Sequence, residues 1–228
     1  AYFQSFSNTY APLERLKSLY EEALSHPSVV GLVIGTRPDC VDEEKLDYLA
    51  QLAKDNVVIV EYGIESCHDA TLQRINRGHD FETARKAVEM TAARGIDVGV
   101  HFILGLPGET RQMMLDSCDM INALPIRSVK FHQLQIVKGT RMEKEYAEKP
   151  QDFERFSLDE YLDFFVDMLE RLRPDLSIER FVGEVPPRFV NETPWGLIRN
   201  VELIRMLDQR LEARQTWQGR LCSDVDIA

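Results

Sequence analysis

The chain lacks the features that would place it at once in several common classes of protein. It has no basic excess: 27 Lys and Arg stand against 38 Asp and Glu, a formal net charge of −11. Such an acidic balance repels polyphosphate and argues against a stand-alone nucleic-acid-binding domain. No apolar run approaches the ~20 residues of a membrane span, and no secretory signal opens the sequence. We therefore expect a cytoplasmic protein without membrane contact.

Cysteine is scarce and widely spaced. Cys40, Cys67, Cys118 and Cys222 form neither a C-x-x-C pair nor the dense framework of a disulfide scaffold. They are typical of reduced thiols used in packing, so we expect no metal site in this chain. The sequence also has no Gly-Lys-[Ser/Thr] phosphate loop and no G-x-G-x-x-G after its first strand, which excludes the ordinary P-loop ATPase.

Strand and helix patterns alternate regularly through the first 138 residues. Five strand patterns are separated by amphipathic stretches of about 10–15 residues, and the strands are predicted at Tyr2–Phe6, Val29–Ile34, Val57–Tyr62, Val98–Leu104 and Ser128–Val137. This alternation predicts an α/β protein with a parallel sheet. A doubly wound open sheet and a (β/α) barrel both fit it, and both place their chemistry at the carboxyl ends of the strands.

The alternation ends after Gly139. Ser157 and Glu160 have the spacing of a capping box, which predicts a helix, and a short strand and a last helix are predicted at Leu176–Val182 and from Trp195 to Ala213. We therefore divide the chain into a core, residues 1–138, and a C-terminal α-rich extension packed on it, residues 139–228.

Polar residues cluster at the ends of the first two strands. Ser7 and Thr9 lie in a stretch of short hydrogen-bonding side chains, which is also typical of an ordinary turn. Arg37 precedes Pro38 and is therefore held extended. Its planar guanidinium suits a carboxylate ligand, and the alternative is a surface ion pair with Asp39.

The third and fourth strands add carboxylates and a histidine. Glu61 and Glu65 both stand near the end of strand three, where a carboxylate can accept hydrogen bonds from a ribose diol; the alternative is a solvated acid. Arg77 follows on a loop. His101 stands within an apolar run, where a core histidine with satisfied ring nitrogens is the alternative to a ligand contact.

Two later segments carry further candidates. Gly105 and Pro107 belong to a turn that opens a helix, whose N-terminal amides can bind an anion. In the last strand His132 faces one side, and Gln133 and Gln135 face the other. These three side chains are candidates for facing a substrate, although the sequence does not fix the register. No catalytic residue is assigned.

Five segments, in this order and spacing, resemble the radical S-adenosylmethionine (radical SAM) superfamily: Tyr2-Phe3-Gln4 with Thr9-Tyr10-Ala11-Pro12, Gly35-Thr36-Arg37-Pro38-Asp39, Glu61-Tyr62-Gly63-Ile64-Glu65-Ser66, Arg77-Gly78-His79 and His101-Phe102-Ile103-Leu104-Gly105-Leu106-Pro107-Gly108-Glu109-Thr110. The nearest branch looks like the bacterial Fe–S oxidoreductases related to the elongator catalytic subunit. The likeness covers nearly the whole chain.

This resemblance implies a partial (β/α)₆ TIM-like barrel, with its first strand missing from the chain, that binds S-adenosylmethionine (AdoMet) and a [4Fe–4S] cluster. With an electron donor, such an oxidoreductase cleaves AdoMet to a 5′-deoxyadenosyl radical that abstracts hydrogen from a substrate, here unknown. The implied AdoMet contacts are Ser7 and Thr9 at the amino group, Arg37 at the matching strand end, Glu65 and His101 at the ribose, Arg77 at the carboxylate, and Gly105 and Pro107 at the adenine.

One departure from the family pattern matters for function. The family holds its cluster with three closely spaced cysteines, which leave one iron open for AdoMet, and this chain has no such run. We therefore expect the cluster in the complete protein but not in this chain, which should be inactive alone and should be a truncated piece. An exposed edge at Ala1–Phe6 predicts pairing between two copies.

Two other functions stay open at this stage. A cluster-free (β/α) barrel could serve as a binding or scaffold domain for an anionic metabolite through Arg37, Arg77 and His101. RNA binding is suggested by the elongator-like relatives and by the segment Arg199–Arg220, which has five Arg against three acids.

Overall fold

The computed structural model describes residues 1–183, 185–190, 195 and 198–222. The strands are β1 (Tyr2–Phe3), β2 (Gly31–Thr36), β3 (Val57–Glu65), β4 (Asp97–Leu104), β5 (Ser128–Gln133) and β6 (Ser177–Arg180). The helices are α1 (Leu13–Leu24), α2 (Glu43–Leu52), α3 (Asp69–Arg74), α4 (Phe81–Ala92), α5 (Arg111–Asn122), α6 (Arg141–Glu148), α7 (Leu158–Leu169) and α8 (Asn200–Arg214). Within the described ranges, no helix has the length and apolar character needed to cross a bilayer.

The six strands form one parallel sheet in which every strand lies beside its neighbour in sequence, in the order β1-β2-β3-β4-β5-β6. In a doubly wound sheet the order reverses at a switch point, and here it does not reverse. A sequential order with right-handed helical crossovers is that of a (β/α) barrel. The predicted fold class, α/β with the parallel strands of a partial TIM-like barrel, is therefore confirmed.

The two faces of β2, β3 and β4 differ in character. On one face the side chains are apolar and buried, and helices α1, α2 and α4 contact these strands; this face carries Leu32, Ile34, Val58, Val60, Tyr62, Val98 and Val100. The opposite face, which we call the open face, carries glycine and polar residues at matching registers. Gly35, Glu61 and Gly99 lie side by side on it, and Gly63 lies beside His101.

The chain divides into two compact units. The first unit comprises Ala1–Phe102 and Leu124–Val129, and the second comprises Ile103–Ala123 and Lys130–Ala228. The boundary that we predict between residues 138 and 139 stays a prediction.

The core of the second unit is built around α7. This helix begins with a full capping box, in which the Ser157 side chain and the Glu160 side chain each bond the other's backbone, as the sequence predicts. Phe165 is fully buried and packs edge-to-face on Phe131, with ring centroids 5.3 Å apart. The buried hydroxyl of Tyr161 donates to the carbonyl of Phe181 at 2.6 Å. Aromatic burial therefore stabilises this unit.

Several predicted boundaries need correction. β2 is Gly31–Thr36 and not Val29–Ile34, and β3 continues to Glu65 instead of ending at Tyr62. β1 ends at Phe3 and not at Phe6, because Phe6 has φ +65, outside the range of a strand. β5 ends at Gln133 and not at Val137, so the strand alternation does not extend to Gln135. α8 begins at Asn200, not at Trp195; residues 194, 196 and 197 near the predicted start lie outside the described residues.

Two helices were not predicted. None of the described side chains of α6, Arg141–Glu148, is buried, so α6 lacks the periodic apolar face by which a helix is recognised in a sequence. Its start is set by the Thr140 side chain, which accepts from the backbone N–H of Glu143 at 3.2 Å. α3, Asp69–Arg74, has only six residues, which is too short for a periodic signal.

Asn122 ties the end of α5 to the segment after α7. Its amide donates to the carbonyl of Arg171 at 2.8 Å, and its carbonyl accepts from the backbone N–H of Arg173 at 2.9 Å. Asn122→Ala leaves two backbone groups without partners, at about 1–3 kcal/mol for each buried group. We expect urea unfolding to show a loss of about 2–4 kcal/mol. Asn122→Asp keeps only the acceptor and should lose less; equal stability of all three proteins would contradict this role.

Candidate functional site

Arg77 is presented to the end of β3 by a tight loop. Asn76, two residues beyond the end of α3, has φ +55, and Gly78 follows Arg77 with φ +86. These left-handed residues turn the chain sharply on either side of Arg77. The guanidinium of Arg77 then donates to the carbonyl of Gly63 through Nε, at 3.2 Å, and through Nη2.

Glu65 lies beside this guanidinium. Its Oε1 is 3.3 Å from Nη2 of Arg77, and its backbone has φ +76 where the β3–β4 register shifts by a bulge. Bulges re-aim side chains next to functional sites. Burial raises the pKa of Glu65, and the charges of Arg77 and His101 offset part of that rise.

Gly63 makes this contact possible. A Cβ at this position would lie 2.6 Å from Oε1 of Glu65 and 2.7 Å from Nη2 of Arg77. Any side chain would therefore separate the ion pair from the strand. Glycine inside a strand often marks such a close approach.

Arg37 lies on the other side of the same loop. It is extended before Pro38, as predicted, with φ −90 and ψ 147. Its Nε and Nη2 donate to the two carboxylate oxygens of Asp39 at 2.8 and 2.5 Å, so the ion pair given above as the alternative is present, and ligand contact stays a prediction. Burial opposes ionisation of Asp39, but the Arg37 hydrogen bonds outweigh it and lower the pKa of Asp39. A Cβ on Gly78 would lie 2.6 Å from Arg37 Nη2.

His79 follows Gly78 and carries a buried nitrogen without a partner. Its Nδ1–H donates to the carbonyl of Asp80 at 3.1 Å, which leaves Nε2 of the neutral ring as an acceptor. That atom is buried and has no hydrogen-bond partner among the described residues. Burial is the main cause that lowers the pKa of His79, so the ring stays neutral near pH 7. A buried ring nitrogen without a partner among the described residues is unusual, and a ligand that donates a hydrogen bond to it would explain it.

Thr9 lies beneath this region, not at its surface. It is fully buried, with its hydroxyl 2.6 Å from that of Thr36 and donating to the carbonyl of Cys40 at 2.7 Å. The hydroxyl therefore holds the β1 loop to the end of β2. Ser7 is half-buried, and its carbonyl accepts from the backbone N–H of Tyr10. Contact of either residue with a ligand stays a prediction.

His101 and Glu61 face each other on the open face. His101 Nε2 is 3.0 Å from Glu61 Oε2, and the hydroxyl of Tyr2 donates to the same oxygen at 2.8 Å. The carboxylate of Glu61 is thus held between side chains of β1 and β4. From the sequence, Glu61 is a strand-end acid that can accept hydrogen bonds from a ribose diol, as Glu65 can. Its pairing with Tyr2 and His101 gives no local signal, because these residues lie 59 and 40 positions away along the chain.

The remaining predicted residues lie in the second unit. Gly105 is buried with φ +83, and a Cβ there would lie 2.9 Å from the carbonyl of Glu154; Pro107 is also buried. The amide of Gln133 pairs with the backbone of Gly183, accepting at 2.8 Å and donating at 3.4 Å. His132 and Gln135 are half-buried. Gln133 thus has a structural partner, and substrate contact of all three stays a prediction.

The described residues do not provide a site for an iron–sulfur cluster. Cys40, Cys67 and Cys118 are buried, and no group of three or more His, Cys, Asp or Glu in the described part of the chain is placed to hold a metal ion. Burial raises the pKa of Cys118 to about 12, which keeps it a thiol, whereas cluster ligands are thiolates. These cysteines therefore do not fit the cluster that the resemblance implies.

Arg37, Glu65, Arg77 and His101 do come together within the first unit. Gly78 lies against the guanidinium of Arg37 and adjoins Arg77, and Arg77 pairs with Glu65. His101 lies in register with Gly63, whose carbonyl accepts from Arg77. A sequential parallel (β/α) sheet with a charged cluster at the carboxyl ends of its strands defines a barrel-type binding protein or enzyme.

The comparison with known families makes this class specific. Residues 5–121 match the Radical SAM superfamily, and residues 126–213 match the Radical_SAM C-terminal domain. The chain belongs to the radical SAM superfamily, as its motifs suggest.

Relatives and solved structures agree with this assignment. The chain is 36% identical over 219 residues to Uncharacterized protein MJ0486 of Methanocaldococcus jannaschii, covering 96% of this chain and 67% of that protein. It is 36% identical over 220 residues, with the same coverage, to Uncharacterized protein YtqA of Bacillus subtilis. The solved Elp3 of Methanocaldococcus infernus has a TM-score of 0.70 and 20% identity over 90% of this chain, which spans 46% of that chain; this likeness shows the fold.

Thr9→Val tests whether the Thr9 hydroxyl is structural. Valine has the shape of threonine but leaves the Cys40 carbonyl without its donor, so we expect a loss of about 1–3 kcal/mol in the free energy of unfolding. Thr9→Ser keeps the hydroxyl and should be closer to the wild type. A valine variant as stable as the serine variant would show that the hydroxyl does not hold the loop.

Glu65 should make stability depend on pH in an unusual direction. Its folded-state pKa lies above the ordinary value of 4.5, so its contribution is fully present at lower pH and is lost as pH rises through the folded pKa. The thermal stability of Glu65→Gln relative to the wild type should therefore increase as pH rises above the ordinary pKa of 4.5.

Glu82→Gln is the matched control for this measurement. Arg85 lowers the pKa of Glu82 to about 2, so the stability of this variant should fall relative to the wild type only between about pH 2 and the ordinary pKa of 4.5, and should show no trend above it. The same pH trend in both variants would contradict the role assigned to Glu65.

Proposed function

We propose that this chain is the AdoMet-binding part of a radical SAM oxidoreductase. In the complete protein, cysteines that residues 1–228 do not supply would hold a [4Fe–4S] cluster. Such a cluster would pass one electron from a reductant to AdoMet, which would release methionine and a 5′-deoxyadenosyl radical able to abstract hydrogen from a substrate. Membership of the superfamily and the charged cluster at the strand ends support the proposal. The convergence of Arg37, Glu65, Arg77 and His101 is the observation that carries it.

The charges present fit the two ends of AdoMet. Its methionyl end carries a carboxylate and an ammonium, and its ribose carries two hydroxyls. Arg37 and Arg77 supply guanidinium donors for the carboxylate, while the buried acceptor of His79 suits a donor such as the ammonium. Glu65 and His101 lie where carboxylate and imidazole groups can take the ribose hydroxyls. We place Gly105 and Pro107 beside the adenine on the family pattern alone.

The Arg77 guanidinium has a second task in this proposal. Nε and Nη2 of Arg77 already donate to the carbonyl of Gly63, and Nη2 also lies beside Glu65. The third nitrogen of the guanidinium, Nη1, is therefore the one that contacts a ligand. Because these bonds hold the guanidinium in place, Nη1 is oriented before the ligand binds, which lowers the entropic cost of association.

The substrate and the electron donor are not identified by the chain. The expected RNA contact finds weak support in α8, because three of the five arginines between residues 199 and 220 are paired with acids of α7 and its C-terminal end. Arg210 bonds Asp163 at 2.7 Å, Arg214 bonds Asp167 at 2.7 Å, and Arg220 Nη2 lies 2.8 Å from Glu170. The RNA partner stays a prediction, as does pairing of two copies through Ala1–Phe6.

The activity is tested with the natural protein that includes the sequence flanking residues 1–228. Iron and sulfide are reconstituted without oxygen, the cluster is confirmed spectroscopically, and 5′-deoxyadenosine is measured with and without a reductant. We expect reductant-dependent 5′-deoxyadenosine from the natural protein and none from residues 1–228 alone. A confirmed cluster without AdoMet cleavage would refute the proposal.

Arg77→Lys tests the binding site separately from the chemistry. Lysine cannot reproduce the two-pronged contact with Gly63, so we expect calorimetry to show binding of S-adenosylhomocysteine weakened roughly tenfold, the effect of about one charged hydrogen bond. Arg85→Lys, on the exposed face of α4, is the control and should bind as the wild type does. Equal loss in both variants would argue against a specific site.

A further inference from the structure

Glu61 is a buried carboxylate on the open face of the sheet. Only 4% of it is exposed, and its Oε2 faces both the hydroxyl of Tyr2 and Nε2 of His101. Its strand neighbours Val60 and Tyr62 point to the apolar face and are fully buried. An acid within such a strand has to be accommodated by the residues around it.

The sheet makes room for this side chain on the β4 side. The residues in register with Glu61 are Gly35 on β2 and Gly99 on β4. A Cβ on Gly99 would lie 3.2 Å from Cγ of Glu61 and 3.0 Å from the hydroxyl of Ser128. Glycine weakens a strand interior, so the glycine at position 99 indicates that the carboxylate beside it has a use.

Stability alone does not explain Glu61. A carboxylate removed from water needs strong partners to recover its hydration energy, and well-packed apolar groups often stabilise a fold as much as a buried charged network does. Tyr2 and His101 both bond the same oxygen, Oε2 of Glu61, and such bonds need not stabilise a fold more than a well-packed apolar side chain would. What the carboxylate does provide is a fixed direction for the imidazole.

We propose that Glu61 is a positioning residue that fixes the tautomer and orientation of His101. An ionised carboxylate only accepts hydrogen bonds, so His101 donates through Nε2–H, and Nδ1 of the neutral ring becomes its acceptor nitrogen. Tyr2 donates to the same oxygen and keeps it in place. The imidazole then presents an acceptor, not a donor, to the ligand.

The tautomer of His101 determines which ligand group its ring can bind. This part of the inference, about the ligand, rests on the proposed function. A ribose hydroxyl can donate a hydrogen bond to Nδ1 while it accepts one from another group. A ligand that offers only an acceptor at this point would be repelled, because its lone pair would face the lone pair of Nδ1. Glu61 thereby selects for a hydroxyl-bearing ligand. A metal-ligating histidine is oriented by a carboxylate in the same manner.

The test observes the ring directly in residues 1–228, with ¹⁵N-labelled histidine and two-bond ¹H–¹⁵N spectra. The His101 signals are assigned by their absence in His101→Asn. In the wild type we expect neutral His101 to be protonated on Nε2, with an Hε2 proton protected from exchange. In Glu61→Leu we expect that protection to be lost, and in Tyr2→Phe to be weakened.

The controls separate positioning from folding. Ile59→Val lies two residues earlier on the same strand and face and should leave the His101 signals unchanged. Should Glu61→Leu fail to fold, Glu61→Gln and the wild-type spectrum still decide the question. A wild-type ring protonated on Nδ1, or protection that persists in Glu61→Leu, would overturn the proposal.

Ligand binding then distinguishes this proposal from the proposed function. S-Adenosylhomocysteine should shift the Nδ1 resonance of His101, and its affinity for Glu61→Gln should fall roughly tenfold. If Nε2–H is fixed by Glu61 but S-adenosylhomocysteine does not bind the natural protein, the proposed function fails and the positioning role stands. If binding is normal and the tautomer does not depend on Glu61, the positioning role fails alone.

Discussion

The opposite character of the two faces of β2, β3 and β4 governs the structure of the first unit. Parallel strands are usually apolar on both sides, and one face here follows that rule with Leu32, Val60 and Val100 against helices. On the other face, glycines at 35, 63 and 99 remove the side chains that would fill the space. Charged and polar groups can therefore lie directly against the strands without displacing the helix-packed core.

This arrangement has an energetic cost that packing elsewhere must offset. Glu65 takes a left-handed backbone and has a pKa raised by burial, and His79 buries a ring nitrogen without a partner among the described residues. Such strain and poor solvation each cost on the order of 1–3 kcal/mol. They occur in one loop region at the strand ends, which is the distribution expected of a binding site and not of packing defects.

The sequence alone predicted the structure correctly where the interactions that determine it are local. The β-branched runs located the strands, Pro38 fixed the extended backbone of Arg37 and so allowed its pair with Asp39, and Ser157 with Glu160 located α7. The sequence alone did not predict contacts between residues that are far apart in the chain. The burial of Thr9 depends on strand β2, so the bonds of its hydroxyl to Thr36 and to the carbonyl of Cys40 could not be predicted from the local sequence.

Contacts between residues that are distant in the sequence also determine the role of each acidic residue in the site. Glu61 and Glu65 are equivalent in the sequence, four residues apart near the end of one strand, and the bulge at Gly63 and Glu65 separates their roles. Before the bulge, Glu61 keeps the strand geometry and reaches across to β1 and β4. After it, Glu65 turns toward Arg77. One irregular step in the β3–β4 ladder thus creates two carboxylates with different partners, one orienting an imidazole and one held by a guanidinium.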